Sequence, residues 1–263
     1  MIDLSNDNII HIRKDDIEYI QFKKLLEYET ILKHSICFKP LDFNLSKIGE
    51  EKLEENYKKI CRTLEISYKD VVRMKQTHSD NVEILDLSSK ERFYDNTDGI
   101  ITQEKNIVLP IVTADCISLL LFDPQKKVIA NIHSGWRGTV QRIVEKAIKK
   151  MVIKYGCRTS DIICCIGPCI GKCHFEVRED VKEIFEKEFK DILSKNIVLD
   201  NKKDNTYFID TVLINRLMLI KLGLKNENII ESNICTVCNK NEFHSYRAEK
   251  ERAGRNLSII TLV

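Results

Sequence analysis

Residues 107–139 read IVLPIVTADCISLLLFDPQKKVIANIHSGWRGT, two apolar runs each broken by a costly chemical group. Asp115-Cys116 interrupts the first run, His133 closes the second, and the turn Gly135-Trp136-Arg137-Gly138 leads straight into an amphipathic stretch. Runs such as Ile117–Phe122 and Val128–His133 have no polar face. As strands they must be covered on both sides, which excludes a sheet open to water and asks for layers above and below. A buried carboxylate costs several kcal/mol (roughly 2 or more) unless it is satisfied. An Asp-Cys pair placed inside such a run therefore marks the first place to look for chemistry.

The rest of the chain fits a layered fold. Glu50–Leu64 carries Leu53, Tyr57, Ile60, Cys61 and Leu64 at helical spacing. Strand-like runs follow at Val71–Gln76, Asn81–Leu87, Asp98–Thr102, Ile107–Thr113, Ile117–Phe122 and Val128–His133. Thr139–Tyr155 is expected to be one continuous helix, with an apolar stripe from Val140 to Tyr155 and Gly156 as its left-handed stop. Ile162–Ile166 reads as a buried strand, Asp180–Phe189 and Thr211–Leu222 as helices, and Leu257–Leu262 as a final strand. No repeat or Pro/Gly/Ser-rich linker divides the sequence, so a single mixed α/β domain over residues 1–263 is expected.

Composition narrows the function classes. Lys and Arg number 42 against 40 Asp and Glu, so no basic excess points to nucleic acid. The longest apolar stretch, Ile107–Phe122, contains Asp115 and falls short of a membrane span. The N-terminal MIDLSNDNIIHIRKDD lacks the pattern of a secretory signal, so a cytoplasmic protein with reduced thiols is expected despite ten cysteines.

Which residues carry chemistry is an argument from combination. His78 follows a strand-like run at Lys75-Gln76-Thr77-His78-Ser79; Cys116 and His133 sit at the ends of segments consecutive in sequence. Alone, each has an ordinary reading, a satisfied imidazole or a small buried hydrophobe. Together, two imidazoles and a thiolate make a good zinc set whose fourth position stays open to water or substrate. Asp115 is a candidate for orienting a ligand histidine. Arg137, with the N–H groups at the start of the Thr139 helix, is a candidate anion pocket or a brace for its own turn. Trp136 is either a base-stacking surface or a core plug, and the core is the simpler expectation. Cys235-Thr236-Val237-Cys238 is a lone C-x-x-C without an evident second pair. Packing accounts for Cys164, Cys165, Cys169 and Cys173; a structural zinc or iron–sulfur site assembled from these and the C-x-x-C pair is the lesser alternative, since such sites normally show tighter paired spacings. Near the C-terminus, Arg247 and Arg255 lie close to turn residues, where they could meet a phosphate or pair with Glu249 and Glu251.

These motifs resemble a known family. Gln76-Thr77-His78-Ser79, Asp98-Gly99, Thr113-Ala114-Asp115-Cys116, His133-Ser134-Gly135-Trp136-Arg137-Gly138, Ile166-Gly167-Pro168, Ile170-Gly171-Lys172-Cys173, Phe175-Glu176-Val177, Cys235-Thr236, Ser245-Tyr246-Arg247 and Gly254-Arg255 occur in the order seen in the YfiH-type laccase-domain proteins, also called the polyphenol oxidase or purine nucleoside phosphorylase family. The resemblance implies a single α/β domain with sheets between helical layers, remotely similar to the cytotoxic necrotizing factor-type cysteine hydrolases. It implies that His78, Cys116 and His133 hold zinc. It implies phosphorolysis of adenosine, inosine, guanosine and methylthioadenosine, and deamination of adenosine, by a monomer or homodimer whose partners are nucleosides and phosphate. Cys116, His133 and Asp115 would be catalytic, Arg137 would meet phosphate, and Asn44 is carried as a ribose or base contact by its segment alone. Thr77, Ser79 and Ser134 depart from the family's usual Val, Gly and Ala without touching the ligands.

Three other chemistries stay open at this stage. Cys116 and His133 form a nucleophile–base pair suited to a metal-free cysteine hydrolase, including one that edits peptidoglycan precursors. A copper-dependent polyphenol oxidase is implied by the family's older name; with only six histidines in the chain, copper on soft Cys/His ligands is the expected adventitious case. A binding protein with a structural zinc is the third.

Overall fold

The computed structural model describes residues 2–14, 16–86, 93–192, 197–201 and 205–263. Two sheets are stacked between helices. The larger has six strands in the order Ile229–Glu231, Ile163–Ile166, Ile117–Asp123, Val128–Ser134, Gly99–Thr102, Val82–Ile84. Its central strands are antiparallel, and both edges add a parallel strand. The second sheet has five strands, all antiparallel, in the order Ile9–Lys14, Ile17–Phe22, Leu32–Cys37, Asn256–Leu262, Leu109–Thr113.

The two-residue period of the strands assigns the faces. Leu119 and Leu121 pack under the helices Ile143–Tyr155 and Thr211–Lys221, with Val144, Ala147, Ile148 and Met218 in the same core. Leu120 and Phe122, one residue out of step, face the other sheet, where they meet Ile36, Leu109 and Ile260. The outer face of the five-stranded sheet, with Tyr19, Cys37 and Ile259, is covered by Leu53, Tyr57 and Ile60 of the helix Leu45–Thr63. The result is helix, sheet, sheet, helix, which is why the apolar runs lack a polar face. Asn131, fully buried between the sheets, donates to the Leu109 and Ser258 carbonyls at 2.9 and 3.0 Å, one from each of two neighbouring strands of the opposite sheet.

Several boundaries differ from the sequence expectation. The helix predicted over Thr139–Tyr155 is broken. A first piece starts at the glycine turn, Trp136–Val140, and a second spans Ile143–Tyr155, with Arg142 between them at φ 57°. Arg142 is held there by Glu145, Glu188 and Asp191, a three-carboxylate clasp that the apolar stripe did not reveal. Leu45–Thr63 begins earlier than expected and is interrupted at Gly49, φ 77°. Val71–Gln76 contracts to Arg73–Met74 and Asn81–Leu87 to Val82–Ile84, with Leu87 outside the described residues. The strands Ile9–Lys14, Ile17–Phe22 and Leu32–Cys37 were not anticipated, because charged residues and His34 mask their alternation. Among the described residues no helix is long and apolar enough to cross a membrane.

His34 makes stability depend on pH. Its Nε2 accepts the Phe22 N–H at 2.8 Å inside the core, which requires the neutral ring, and burial pulls its pKa down to about 3. An unfolded histidine titrates near ~6.5, so this contribution is complete above that pH and is lost as the pH falls toward the folded value. Between about pH 7 and about pH 4 the loss is of order 3 kcal/mol. Urea midpoints of wild type should therefore fall more steeply over that interval than those of His34→Gln; equal slopes would remove His34 as the cause.

Candidate active site

The strands Ile117–Asp123 and Val128–Ser134 pair with Ser134 opposite Ile117. Cys116, just before the first strand, and His133, at the end of the second, therefore emerge at the same edge of the sheet. Gly135 completes the corner. A Cβ there would lie 2.7 Å from His78 Cδ2 and 3.2 Å from Cys116 Sγ, so only glycine lets the two side chains approach. His78 reaches the corner from a separate loop in the left-handed conformation, φ 61°. The donor atoms of His78, Cys116 and His133 all lie within 4.8 Å of one another. Cys116 Sγ is 3.7 Å from His78 Nε2, and the two imidazole rings meet edge to face.

One carboxylate organises this trio. Asp98 is fully buried, at the start of the strand neighbouring that of His133. Its Oδ1 receives His133 Nδ1 at 2.7 Å and the His78 N–H at 3.1 Å. Its Oδ2 receives the Ser79 N–H at 2.7 Å, the Ser79 hydroxyl at 2.6 Å, the Thr77 N–H at 3.2 Å and, more weakly, the Thr77 hydroxyl at 3.5 Å. Its main-chain oxygen also accepts the His133 N–H at 2.7 Å. Burial opposes the charge, but His133 and Ser79 hold the Asp98 pKa down to about 2. Fixing Nδ1 of His133 to a carboxylate leaves Nε2 for the shared corner, the usual arrangement behind a metal-bound histidine. Burial alone would push the Cys116 thiol up, yet the imidazolium of His133 and hydrogen bonds from His133 and His78 bring it down to about 6. The same pairing, with Asp98, raises His133 to about 9 against its own burial.

The sequence had offered Asp115 for the orienting role. The structure places its carboxylate elsewhere: Oδ1 accepts the Thr236 hydroxyl at 2.6 Å and Oδ2 the Arg247 N–H at 2.6 Å. Asp115, at φ 86°, ties the Cys116 corner to the C-terminal segment; Asp98 orients the histidine. Asp98-Gly99 was visible in the sequence as a motif, but nothing linked its carboxylate to residues 20 and 35 positions away.

The corner opens into a cavity of about 660 Å³, within the size range of small-molecule sites. Trp136, Ile170, Phe175, Val181 and Tyr246 supply apolar and aromatic walls, and Arg137, Arg247 and Arg255 supply positive charge. Trp136 does both, lining the cavity and packing against the core beside Phe185, with the Arg137 guanidinium over its ring at 4.4 Å. Arg247 spans the His174 and Glu176 carbonyls at 2.9 and 3.1 Å. The helix starts three residues earlier than expected, at Trp136, and breaks at Arg142, so its first N–H groups belong to the glycine turn itself; Arg137 lines the cavity. Asn44 lies outside the lining, its amide donating to the Ala253 carbonyl at 3.3 Å and accepting the Ser46 hydroxyl at 2.8 Å.

Two imidazoles and a thiolate, one imidazole backed by a carboxylate, fit a borderline-soft divalent ion with one position left for a small molecule. The layers and this corner define a class, α/β proteins with a candidate mononuclear metal centre facing a cavity. Residues 41–263 match the family described as multi-copper polyphenol oxidoreductase laccase, and the chain belongs to that family. It is 33% identical to a purine nucleoside phosphorylase of Clostridium acetobutylicum over 254 residues, 95% of this chain and 99% of that protein. It is 32% identical over 208 residues to adenosine deaminase RL5 of an unknown prokaryotic organism, 76% of this chain and 78% of that one. The crystal structure of Bacillus licheniformis hypothetical protein YfiH shares the fold, with a TM-score of 0.82 at 23% identity over 93% of this chain and 96% of that chain.

Proposed function

We propose that this protein is a purine nucleoside phosphorylase that also deaminates adenosine, with zinc held by His78, Cys116 and His133. The observation that carries the reading is the three-donor corner, oriented by Asp98, at the mouth of a cavity that is both aromatic and arginine-lined. A flat base suits the Trp136, Phe175 and Tyr246 walls, and an anion suits Arg137, Arg247 and Arg255. The names of the relatives point the same way.

In phosphorolysis a phosphate oxygen bonds to C1′ of the ribose, the C1′–N9 bond breaks, and the purine leaves with a proton on a ring nitrogen. In deamination the oxygen of water bonds to C6 and ammonia departs. Bound zinc supplies Lewis acidity and an acidified water at neutral pH. The chain's own part is to fix His133 through Asp98, to hold Cys116 as a thiolate, to aim His78 from its left-handed loop, and to neutralise phosphate with arginine.

Copper-based phenol oxidation asks for many more histidines than the corner has. His11 bonds Glu18, His34 is in the core, and His244 Nε2 is spent on the Leu41 carbonyl. A metal-free cysteine hydrolase is the competing chemistry, favoured by the lowered Cys116 thiol. One panel separates them: adenosine, inosine, guanosine and methylthioadenosine, each with and without phosphate, before and after chelation. Phosphate-dependent release of base and sugar phosphate, lost on chelation and restored by zinc, is the expected result. Turnover of no nucleoside would overturn the proposal, and a hydrolase activity that survives chelation but not iodoacetamide would replace it.

A further inference from the structure

A second group of donors lies behind the cavity wall, unused by the chemistry above. Cys173 and His174 follow the turn after the strand Ile163–Ile166, and Cys235 and Cys238 follow the strand Ile229–Glu231. Those strands are parallel neighbours, and a bridge between Cys169 and Cys235 carries their pairing one step further. The topology thus brings an adjacent Cys-His pair against a C-x-x-C pair from 61 or more residues away.

We propose that Cys173, His174, Cys235 and Cys238 form a second, closed metal site that takes zinc as a structural ion. All four donor atoms lie within 4.8 Å of one another. Cys173 Sγ is 3.7 Å from Cys238 Sγ. His174 Nδ1 is 3.2 Å from Cys173 Sγ and 3.6 Å from both Cys235 Sγ and Cys238 Sγ. Zinc bonds of about 2.3 Å to sulfur and about 2.0 Å to nitrogen, at tetrahedral angles, put two sulfurs about 3.8 Å apart and a sulfur and a nitrogen about 3.5 Å apart. The four separations are those of the edges of one such tetrahedron. The Gly171 N–H points at Cys235 Sγ from 3.3 Å, as it would to a thiolate ligand.

Four protein donors leave no position for substrate, which makes the site structural and separates it from the three-donor corner. Its effect is on the wall. The His174 carbonyl receives Arg247, whose own N–H reaches Asp115, and Thr236 inside the C-x-x-C donates to the same carboxylate. An ion clamping 173–174 to 235–238 fixes both partners of Asp115 and so the base of the cavity. The sequence allowed a structural site among these cysteines only as a lesser alternative, because Cys173 was grouped with the buried Cys164, Cys165 and Cys169 and His174 carried no signal.

The test uses the full chain as Cys116→Ala, which empties the first site and leaves the second intact. Titrated with cobalt(II), this variant should bind about one equivalent, with tetrahedral d–d bands and a charge-transfer intensity of three thiolates; a three-donor corner with its lone cysteine intact would give the intensity of one. Zinc should displace the cobalt. Adding Cys235→Ala and Cys238→Ala to the same chain should reduce bound metal at least tenfold. In wild type, zinc should slow alkylation of Cys173, Cys235 and Cys238 at least tenfold, and chelation should reverse it, a readout that requires no substitution. Absence of the three-thiolate band, equal alkylation with and without zinc, or a Cys173–Cys238 disulfide in freshly reduced protein would each overturn the proposal.

Discussion

Cys116→Ala is expected to fold like wild type, lose the metal of the first site and lose phosphorolysis by at least about a thousandfold. Removing an outer partner of a metal-bound histidine already costs about 10–100-fold, and Cys116 is a direct donor that carries the only negative charge among the three. The remaining imidazoles are neutral when they coordinate and hold a divalent ion weakly. Stability should change little, since the side chain is only half-buried and sits at the cavity rim. The measurement is metal content by mass spectrometry together with kcat/KM for adenosine and phosphate. Metal bound at 173–238 must be counted separately, which the cobalt band intensity allows. A variant that keeps both its metal and its activity would remove Cys116 from the centre.

Asp98→Asn should have the next largest effect, and its direction differs in one respect: it acts on stability as well. The native carboxylate accepts six hydrogen bonds, four of them into Oδ2. An amide turns one oxygen into a donor that faces other donors, wherever it is flipped. Leaving buried groups of this kind unpaired costs about 2–4 kcal/mol. The charge also matters through pH. With its folded pKa held to about 2, below that of the unfolded chain, Asp98 stabilises the protein above about pH 4, and that contribution is lost as the pH falls toward the folded value. Metal affinity should drop about 10–100-fold, because His133 loses the partner that fixes its ring. Asp98 touches no substrate, so it is a positioning residue. Its signature is a weaker metal with a lower urea midpoint, and kcat recovering at saturating zinc. Unchanged metal affinity would show that His133 is oriented without it.

Much of the layered fold was legible, for a physical reason. Leu119, Leu120, Leu121 and Phe122 are all apolar, which is sensible only if a strand is buried on both faces, and both faces are. The three donors His78, Cys116 and His133 could be suspected because imidazole and thiol interrupt or terminate apolar runs. Their meeting could not be derived, since it depends on strand register and on a missing side chain at Gly135. Asp98 was overlooked because a carboxylate before a strand has many ordinary uses; its six donors come from four residues, Thr77, His78, Ser79 and His133. Local composition also misled. The stripe from Val140 to Tyr155 keeps helical spacing throughout, yet the helix is interrupted at Arg142, φ 57°, whose guanidinium is paired with Glu188 and Asp191. The N-terminal strands were hidden by polar residues such as His34 and Ser35, which the core absorbs through hydrogen bonds.

The way the cavity is assembled has a consequence for how such a protein diversifies. Every donor of the corner and its anchoring carboxylate fall between residues 78 and 133, with Trp136 and Arg137 directly after them, whereas the rest of the facing wall comes from 170–181, 211 and 246–255. The reactive apparatus and much of the recognition surface are therefore encoded in different stretches of the chain. Exchanging the later segments between relatives would alter which molecule is chosen while the chemistry travels unchanged, much as a lathe accepts a new chuck without a new motor.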